Sequence, residues 1–204
     1  MRQLTRSQSL LSVNAVEKEI EMGEARLQTL AILVDNEAGV LSQISRLFSR
    51  KGYNIESLAV GATEHQEVSR ITVEVITDEE HINLLVNQLS KLIPVHNVRM
   101  LTDREGLKRE LVMIKVRADA GDRRNELMQI ANIFRASIVD VSLGALTIAI
   151  IGDEQKITGL VNILNQFEIL ELVRTGVIAL ERGQMTIYDD TKEKGEFNYG
   201  KNVL

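Results

Sequence analysis

An internal repeat constrains this chain more than any other feature of its sequence. Each half shows the same order of segments: strand, helix, strand, strand, helix, strand. Strands are recognised by apolar residues at every second position, and helices by apolar residues three and four apart. Apolar residues of the first predicted helix recur in the second half, where Ile130, Ile133 and Phe134 correspond to Ile44, Leu47 and Phe48. This order is that of the split βαβ, ferredoxin-like fold, and a repeat of this size indicates duplicated domains. The sequence therefore predicts an α+β protein of two tandem ferredoxin-like βαββαβ domains.

The first domain is predicted at 27–102. Its strands are predicted at 27–34, 54–60, 71–77 and 95–101. One helix is predicted from about 39 to 50, with Gly52 as a C-terminal stop signal. The other begins at the acidic residues 78–80, which suit a helix N-terminus, and is closed by Pro94.

The second domain is predicted at 108–183, after a charged linker at 102–107. Its strands are predicted at 111–116, 138–142, 146–151, 170–173 and 177–180. Its helices are predicted from two apolar stripes: Leu127, Ile130, Ala131, Ile133 and Phe134, then Ile157, Leu160, Val161 and Leu164. Residues 1–26 form an N-terminal extension, and the polar tail at 184–204 is expected to be loosely held.

Composition argues against several classes of function. A formal net charge of -5 does not favour capture of nucleic-acid phosphates or anionic membrane surfaces, which requires excess Lys and Arg. Aromatic residues, which stack on bases, make up only 3% of the chain. The absence of cysteine excludes disulfides, thiol nucleophiles and cysteine-ligated metals. Because residues 1–26 hold no continuous apolar stretch, we expect no signal peptide and no membrane span, and a cytoplasmic protein.

The sequence offers no catalytic constellation. His65, His81 and His96 share no spacing that would place two of them on one face, and zinc sites usually need several ligands together. No Ser, His and acid arrangement, Gly-rich phosphate loop or HExxH pattern is found. We therefore expect no metal site and no catalysis by this chain alone.

The turn at 35–39 has two interpretations. In the first interpretation the segment is only a structural turn: Asn36 favours the turn, the charge of Glu37 is favourable near a helix N-terminus, and Gly39 gives the backbone conformational freedom. As a binding site, the helix start offers backbone N–H groups to a carboxylate and the Asn amide both donates and accepts, which suits a free amino acid. The residues alone leave both interpretations open. Substitution at Asn36 or Gly39 should open no core cavity, provided that Gly39 does not need a positive φ.

A second polar position follows the first helix. Asn54 stands where the second strand is predicted to begin, at an end of the sheet where a polar side chain is free to reach a ligand or a neighbouring subunit. The alternative is a helix C-cap at Gly52 followed by plain entry into a strand.

Several segments together resemble one family. Residues 35–41 (DNEAGVL), 50–58 (RKGYNIESL) and 69–72 (SRIT) are similar to the N-terminal ACT domain of acetolactate synthase (acetohydroxyacid synthase) small regulatory subunits. Segments of the second half resemble the family's C-terminal domain: 133–135, 138–141, 174–176 and 182–183. The resemblance covers 27–183, whereas the first 26 residues and the tail beyond Gly183 depart from the short bacterial type.

The resemblance implies a regulatory subunit that activates a separate catalytic large subunit and confers feedback inhibition by valine or another branched-chain amino acid. Which amino acid is preferred stays open, because one methylene is worth only about 1 to 3 kcal/mol in a pocket. In this family thiamine diphosphate, flavin and magnesium belong to the catalytic subunit, so no cofactor is expected on this chain.

The resemblance also implies that the amino acid binds where two ACT domains pair, in a homodimer or higher homo-oligomer. The effector-binding residues carried over are Asn36, Ala38, Gly39, Val40, Leu41, Asn54 and Ile55. Asn36 and the backbone at Gly39 would come from one subunit. Asn54 and Ile55 would come from its partner. Val40 and Leu41 would wall the apolar side chain.

Two alternatives stay open. One is an ACT-type sensor of another amino-acid pathway, or a free transcriptional co-sensor. The other is a small phosphatase on the same ferredoxin-like fold, with Arg and Asn cradling a phosphate. Against the phosphatase, the turn at 35–39 contains no arginine.

Overall fold

Each half of the chain forms one antiparallel sheet with two helices. The computed structural model describes residues 25–102, 106–119 and 121–189. The first half consists of β1 (Arg26–Asp35), α1 (Val40–Lys51), β2 (Ser57–Ala62), β3 (Val68–Thr77), α2 (Glu79–Leu89) and β4 (Val95–Leu101). The second consists of β5 (Gly106–Arg117), α3 (Asp122–Ile133), β6 (Ser137–Val141), β7 (Ala145–Gly152), α4 (Glu154–Leu164), β8 (Ile169–Arg174) and β9 (Ile178–Glu181). The α+β class and the repeated βαββαβ order predicted from the sequence are confirmed.

The two sheets have equivalent strand orders. The first runs β2-β3-β1-β4 and the second β6-β7-β5-β8, with β9 attached to β5. In each sheet the first and third strands of the repeat pair: every residue of β1 pairs with one of β3, and Glu110 to Arg117 of β5 pair with β7. The helices cover one face of each sheet, because their apolar stripes and every second strand residue share one core.

The central strand β1 is buried on both faces. Leu30 and Ile32 belong to the core under the helices, while Ala31 and Leu33 face a second cluster built with Ala179 and with residues beyond β9. All four are at most 1% exposed. This double burial explains why β1 is a continuous apolar run and not an alternating one.

The strand β5 belongs to both layers of the molecule. Its residues Gly106 to Arg109 pair with β9, whereas Val112 to Val116 pair with β8 in the second sheet. The β5–β9 pair and residues 186–188 lie over the face of the first sheet opposite its helices. The single strand β5 thus joins the second hydrophobic core to the residues that cover the face of the first sheet opposite its helices.

The structure corrects several predicted boundaries. The strand predicted at 54–60 begins only at Ser57, so Asn54 and Ile55 lie in the preceding loop. Gly106 and Leu107, predicted as linker, are strand residues paired with β9. The helix closed by Pro94 in the prediction ends earlier, at Leu89.

Two predicted packing assignments are wrong. Ile133 is 77% exposed and not part of the second core. At 100° per residue it lies about 120° around α3 from the buried Leu127, outside the apolar face. The tail was expected to be loosely held from residue 184, yet Ile187 is only 2% exposed and packs under the first sheet.

Several predictions fall outside the described residues. These are residues 1–24 of the extension, 103–105 of the linker and 190–204 of the tail.

Candidate functional site

The N-terminus of α1 has no side-chain cap. Gly39 occupies the N-cap position with φ 90° and ψ -12°, a left-handed conformation, and it has no side chain to accept from the first-turn N–H groups. By contrast, Asp78 caps α2 through a bond from the His81 N–H at 2.8 Å, and Asp153 caps α4. The Val40 N–H donates to the Glu37 carbonyl at 3.4 Å. No side chain caps the other first-turn N–H groups, which together with the positive end of the dipole suit a carboxylate.

Gly39 needs a positive φ. The proviso under which a side chain could be added there without backbone strain is therefore not met. A Cβ at Gly39 would meet no atom within 4 Å, so the obstacle is conformation and not space.

Asn36 ties this turn to the hairpin between β2 and β3. Its Nδ2 donates to the Gln66 carbonyl at 2.9 Å, and its Oδ1 accepts from the Ser69 hydroxyl at 3.0 Å. An amide carries two N–H groups and two acceptor lone pairs, so each polar atom keeps capacity for one more partner. Sequence reasoning missed the contacts of Asn36 with Gln66 and Ser69, because a contact across thirty or more residues has no periodic signal.

The predicted wall residues differ in exposure. Val40 is 5% exposed and belongs to the first core. Leu41, one position on, is 41% exposed. Ala38 is also exposed, in the turn. Leu41 is thus the apolar side chain available at this helix start.

Asn54 and Ile55 lie at the other end of α1. The helix has 12 residues, which at 1.5 Å per residue places this loop about 18 Å from Gly39. One chain therefore does not bring the two groups of predicted site residues together. Asn54 is exposed and donates to the Glu56 carboxylate, while Ile55 packs partly on the first core.

Tyr53 anchors the loop that carries Asn54. Its ring meets Phe48 edge-on with centroids 6.4 Å apart, and its hydroxyl donates to the His81 carbonyl at 3.1 Å. Burial, and secondarily the charge of Asp78, raise the pKa of Tyr53 above its ordinary value. The phenol therefore stays neutral and keeps its donor at physiological pH.

The three histidines occupy three different places. His96 lies 2.7 Å from the Asp35 carboxylate at the end of β1, His81 contacts its helix cap Asp78, and His65 meets the Tyr188 ring edge-on. Within the described residues, no three His, Asp or Glu side chains are grouped to hold a metal ion.

A cleft of about 1060 Å³ lies between the two halves. Side chains of both signs line it, among them the acidic Glu56, Glu74 and Glu110 and the basic Lys108 and Arg109. No helix in the described part of the chain is long and apolar enough to cross a membrane.

Comparison with known proteins assigns each half of the chain to one family. Residues 30–97 match the model for the AHAS small subunit-like ACT domain. Residues 109–183 match the model for the small subunit of acetolactate synthase. The acetolactate synthase small subunit of Aquifex aeolicus is 42% identical over 176 residues, which are 86% of this chain and 91% of that one.

The chain belongs to the acetolactate synthase small-subunit family. The Mycobacterium leprae small subunit is 45% identical over 76% of this chain and 91% of its own length. The crystal structure of the acetolactate synthase small subunit from Thermotoga maritima, at 34% identity, superposes with a TM-score of 0.73 and covers 78% of this chain and 99% of that one. The resemblance stated from the sequence motifs is thereby confirmed. Membership in the small-subunit family also favours a regulatory chain over the sensor and phosphatase alternatives.

Proposed function

We propose that this chain activates the catalytic large subunit of acetolactate synthase and makes it sensitive to feedback inhibition by valine. The observation that carries the proposal is the uncapped start of α1 at Gly39, next to the amide of Asn36. Together they offer N–H donors to the carboxylate of an amino acid, and an amide that can also accept from its ammonium. The exposed Leu41 lies beside them as an apolar contact.

The complete site needs two copies of the chain. Asn36 and Gly39 are about 18 Å from Asn54 along α1, by the rise of 1.5 Å per residue. The strand β2 is an edge of its sheet. If β2 pairs antiparallel with β2 of a second copy, the start of one strand lies beside the end of the other, and Asn54 of one copy approaches Asn36 of its partner.

Exposed apolar side chains on β2 agree with this pairing. Leu58 and Val60 are 37% and 50% exposed. They pair with the core residues Val73 and Ile71, so they share the helix-covered face of the sheet. Pairing at this edge would withdraw apolar area from water and close an unpaired row of backbone groups.

The mechanism is coupling and not chemistry. An inhibitor alters activity only as far as it binds one state of an assembly better than another, so valine at the dimer interface acts through its preference for the inhibited arrangement. The absence of a cofactor on this chain and its work in the cytoplasm stay predictions.

Reconstitution tests the proposal. The purified chain should make no acetolactate, should raise the activity of its catalytic large subunit, and should make that activity fall when valine is added. Calorimetry with valine, leucine and isoleucine then ranks the effectors. Turnover by this chain alone would contradict the regulatory function. Failure to bind a thiamine-dependent partner in a pull-down would favour the alternative of a sensor in another pathway.

A further inference from the structure

The second half of the chain is bonded to the strand that follows the proposed ligand-contacting loop. In the turn between β8 and β9, the backbone N–H of Val177 donates to the Ser57 hydroxyl at 2.8 Å. Ser57 is the first residue of β2 and lies two positions after Ile55. A displacement of Asn54 or Ile55 therefore acts within a few bonds on a residue held by the other half.

Gly176 brings the same turn into backbone contact with β2. A Cβ at this position would lie 2.7 Å from the carbonyl oxygen of Leu58 and 3.2 Å from the hydroxyl of Ser57. Its φ of 80° is in the left-handed region as well. Only glycine satisfies both requirements, and the contact is with backbone, which cannot yield as a flexible side chain does.

A buried glutamate fixes the neighbouring strand at the same level. Glu74 pairs with Ser57 in the sheet, and its carbonyl accepts from the Glu56 N–H at 2.9 Å. Its carboxylate accepts from the Thr29 hydroxyl at 2.8 Å and lies 3.7 Å from the ammonium of Lys108, a residue of the second half. The start of β2 is thus held to the second half through its own residues and through β3.

We infer that Ser57 and Gly176 are positioning residues through which occupancy of the effector site is passed to the second half of the chain. The inference rests on the proposed function and adds the contact that couples the site to the rest of the subunit. Closely packed backbone transmits small shifts because it has no free volume in which to absorb them. Asn54 and Ile55 are linked to this contact by Glu56, whose carboxylate accepts from Asn54.

The test separates binding from inhibition in the full chain. In Gly176→Ala and Ser57→Ala, valine affinity measured by calorimetry should stay within about threefold of the unaltered chain. In the complex with the catalytic large subunit, most of the inhibition reached at saturating valine should be lost, as expected when a coupling of about 5- to 150-fold disappears.

Gly183→Ala is the matched control. Gly183 has φ 76°, close to that of Gly176, but a Cβ there meets nothing within 4 Å. It carries the same backbone strain without the contact to β2, and it should leave both valine affinity and inhibition at saturating valine unchanged.

Three results would overturn the inference. The first is inhibition of both variants at the concentration that inhibits the unaltered complex. The second is a parallel loss of valine binding and inhibition, which would make the contact a support of the site only. If Gly176→Ala does not fold, Ser57→Ala decides alone. The third is a failure of the unaltered chain to bind valine, which would refute the proposed function itself and is recognised before any variant is made.

Discussion

The hydroxyl of Ser69 donates to the Oδ1 of Asn36 at 3.0 Å and ties the turn before α1 to β3. The Nδ2 of the same amide donates to the Gln66 carbonyl. Asn36 thus has a structural role within the chain besides its proposed contact with the ligand. The two roles give different signatures on substitution.

Asn36→Ala should weaken valine binding roughly tenfold to a hundredfold, because a hydrogen bond to a charged group is worth about 1.5 to 3 kcal/mol. It should also lower the free energy of unfolding by about 1 to 3 kcal/mol, for the two bonds of about 0.5 to 1.5 kcal/mol each that hold the hairpin. Calorimetry and thermal melting measure the two effects. Ser69→Ala is the control, since it removes one of the hairpin bonds and keeps the amide. If Ser69→Ala lowers valine affinity as much as Asn36→Ala does, Asn36 acts by holding the turn.

A pair of substitutions at Gly39 tests for a bound carboxylate. Gly39→Asn and Gly39→Asp have the same shape and share the strain of a φ of 90°, which Asn and Asp tolerate better than other side chains do. They differ in one negative charge. We expect the Asp variant to lose inhibition by valine to a much greater extent, because like charges repel where water is partly excluded. Equal inhibition of the two variants would place the ligand's carboxylate elsewhere.

Val60→Lys should separate the proposed dimer. The residue is 50% exposed on the edge strand β2, so the substitution should change the stability of one subunit by no more than about 0.5 kcal/mol. A charge in the paired edge would oppose association. Light scattering should show a monomer, and inhibition by valine should be lost. Ile93→Lys is the control at a 98% exposed apolar position away from β2. A dimer that survives Val60→Lys contradicts the pairing of these edges.

Acid should weaken the cap of α2. The backbone N–H of His81 donates to the Asp78 carboxylate and, with the His81 side chain, holds the pKa of Asp78 below its ordinary value of 3.8. The contribution of the charged cap is therefore present above the unfolded-state pKa, and it is lost as the pH falls through the lower folded-state pKa. The Asp78→Asn variant should have a lower Tm than the wild type at pH 7, and this difference in Tm should narrow below about pH 4. Glu79→Gln, which changes an exposed acid of the same turn, should differ less in Tm from the wild type at pH 7 than Asp78→Asn does.

Much of the fold followed from periodicity. The stripe with Ile44, Leu47 and Phe48 located α1, and all three residues are buried. Periodicity could not fix the face of α3, because Ile133 continues the spacing from Ile130 but lies beyond the edge of the packed face. Which face of a helix is packed depends on its neighbours in the fold, and the sequence of a single helix does not carry that information.

The packing of residues beyond β9 on the face of the first sheet opposite its helices could not be predicted. Ile187 lies with Met185 and Tyr188 in a segment too short to give a periodic signal, and its burial depends on a sheet formed by residues far earlier in the chain. The candidate site was predicted from motifs as a set of residues. Its geometry was not, because the bonds of Asn36 to Gln66 and Ser69 depend on a hairpin that lies about thirty residues further along the chain.

The burial of Ala31 and Leu33 under residues 179–188 affects how the chain folds while it is synthesised. A ribosome releases β1 early, but the cover of its second face emerges only after most of the described chain has been translated. Until then the nascent first half exposes an apolar strip. At translation speeds of about 5 to 20 residues per second, this exposure lasts several seconds or more. A chain interrupted before β9 would keep that strip exposed to chaperones and proteases. We therefore expect an unfinished subunit to expose the same surface that the complete subunit hides.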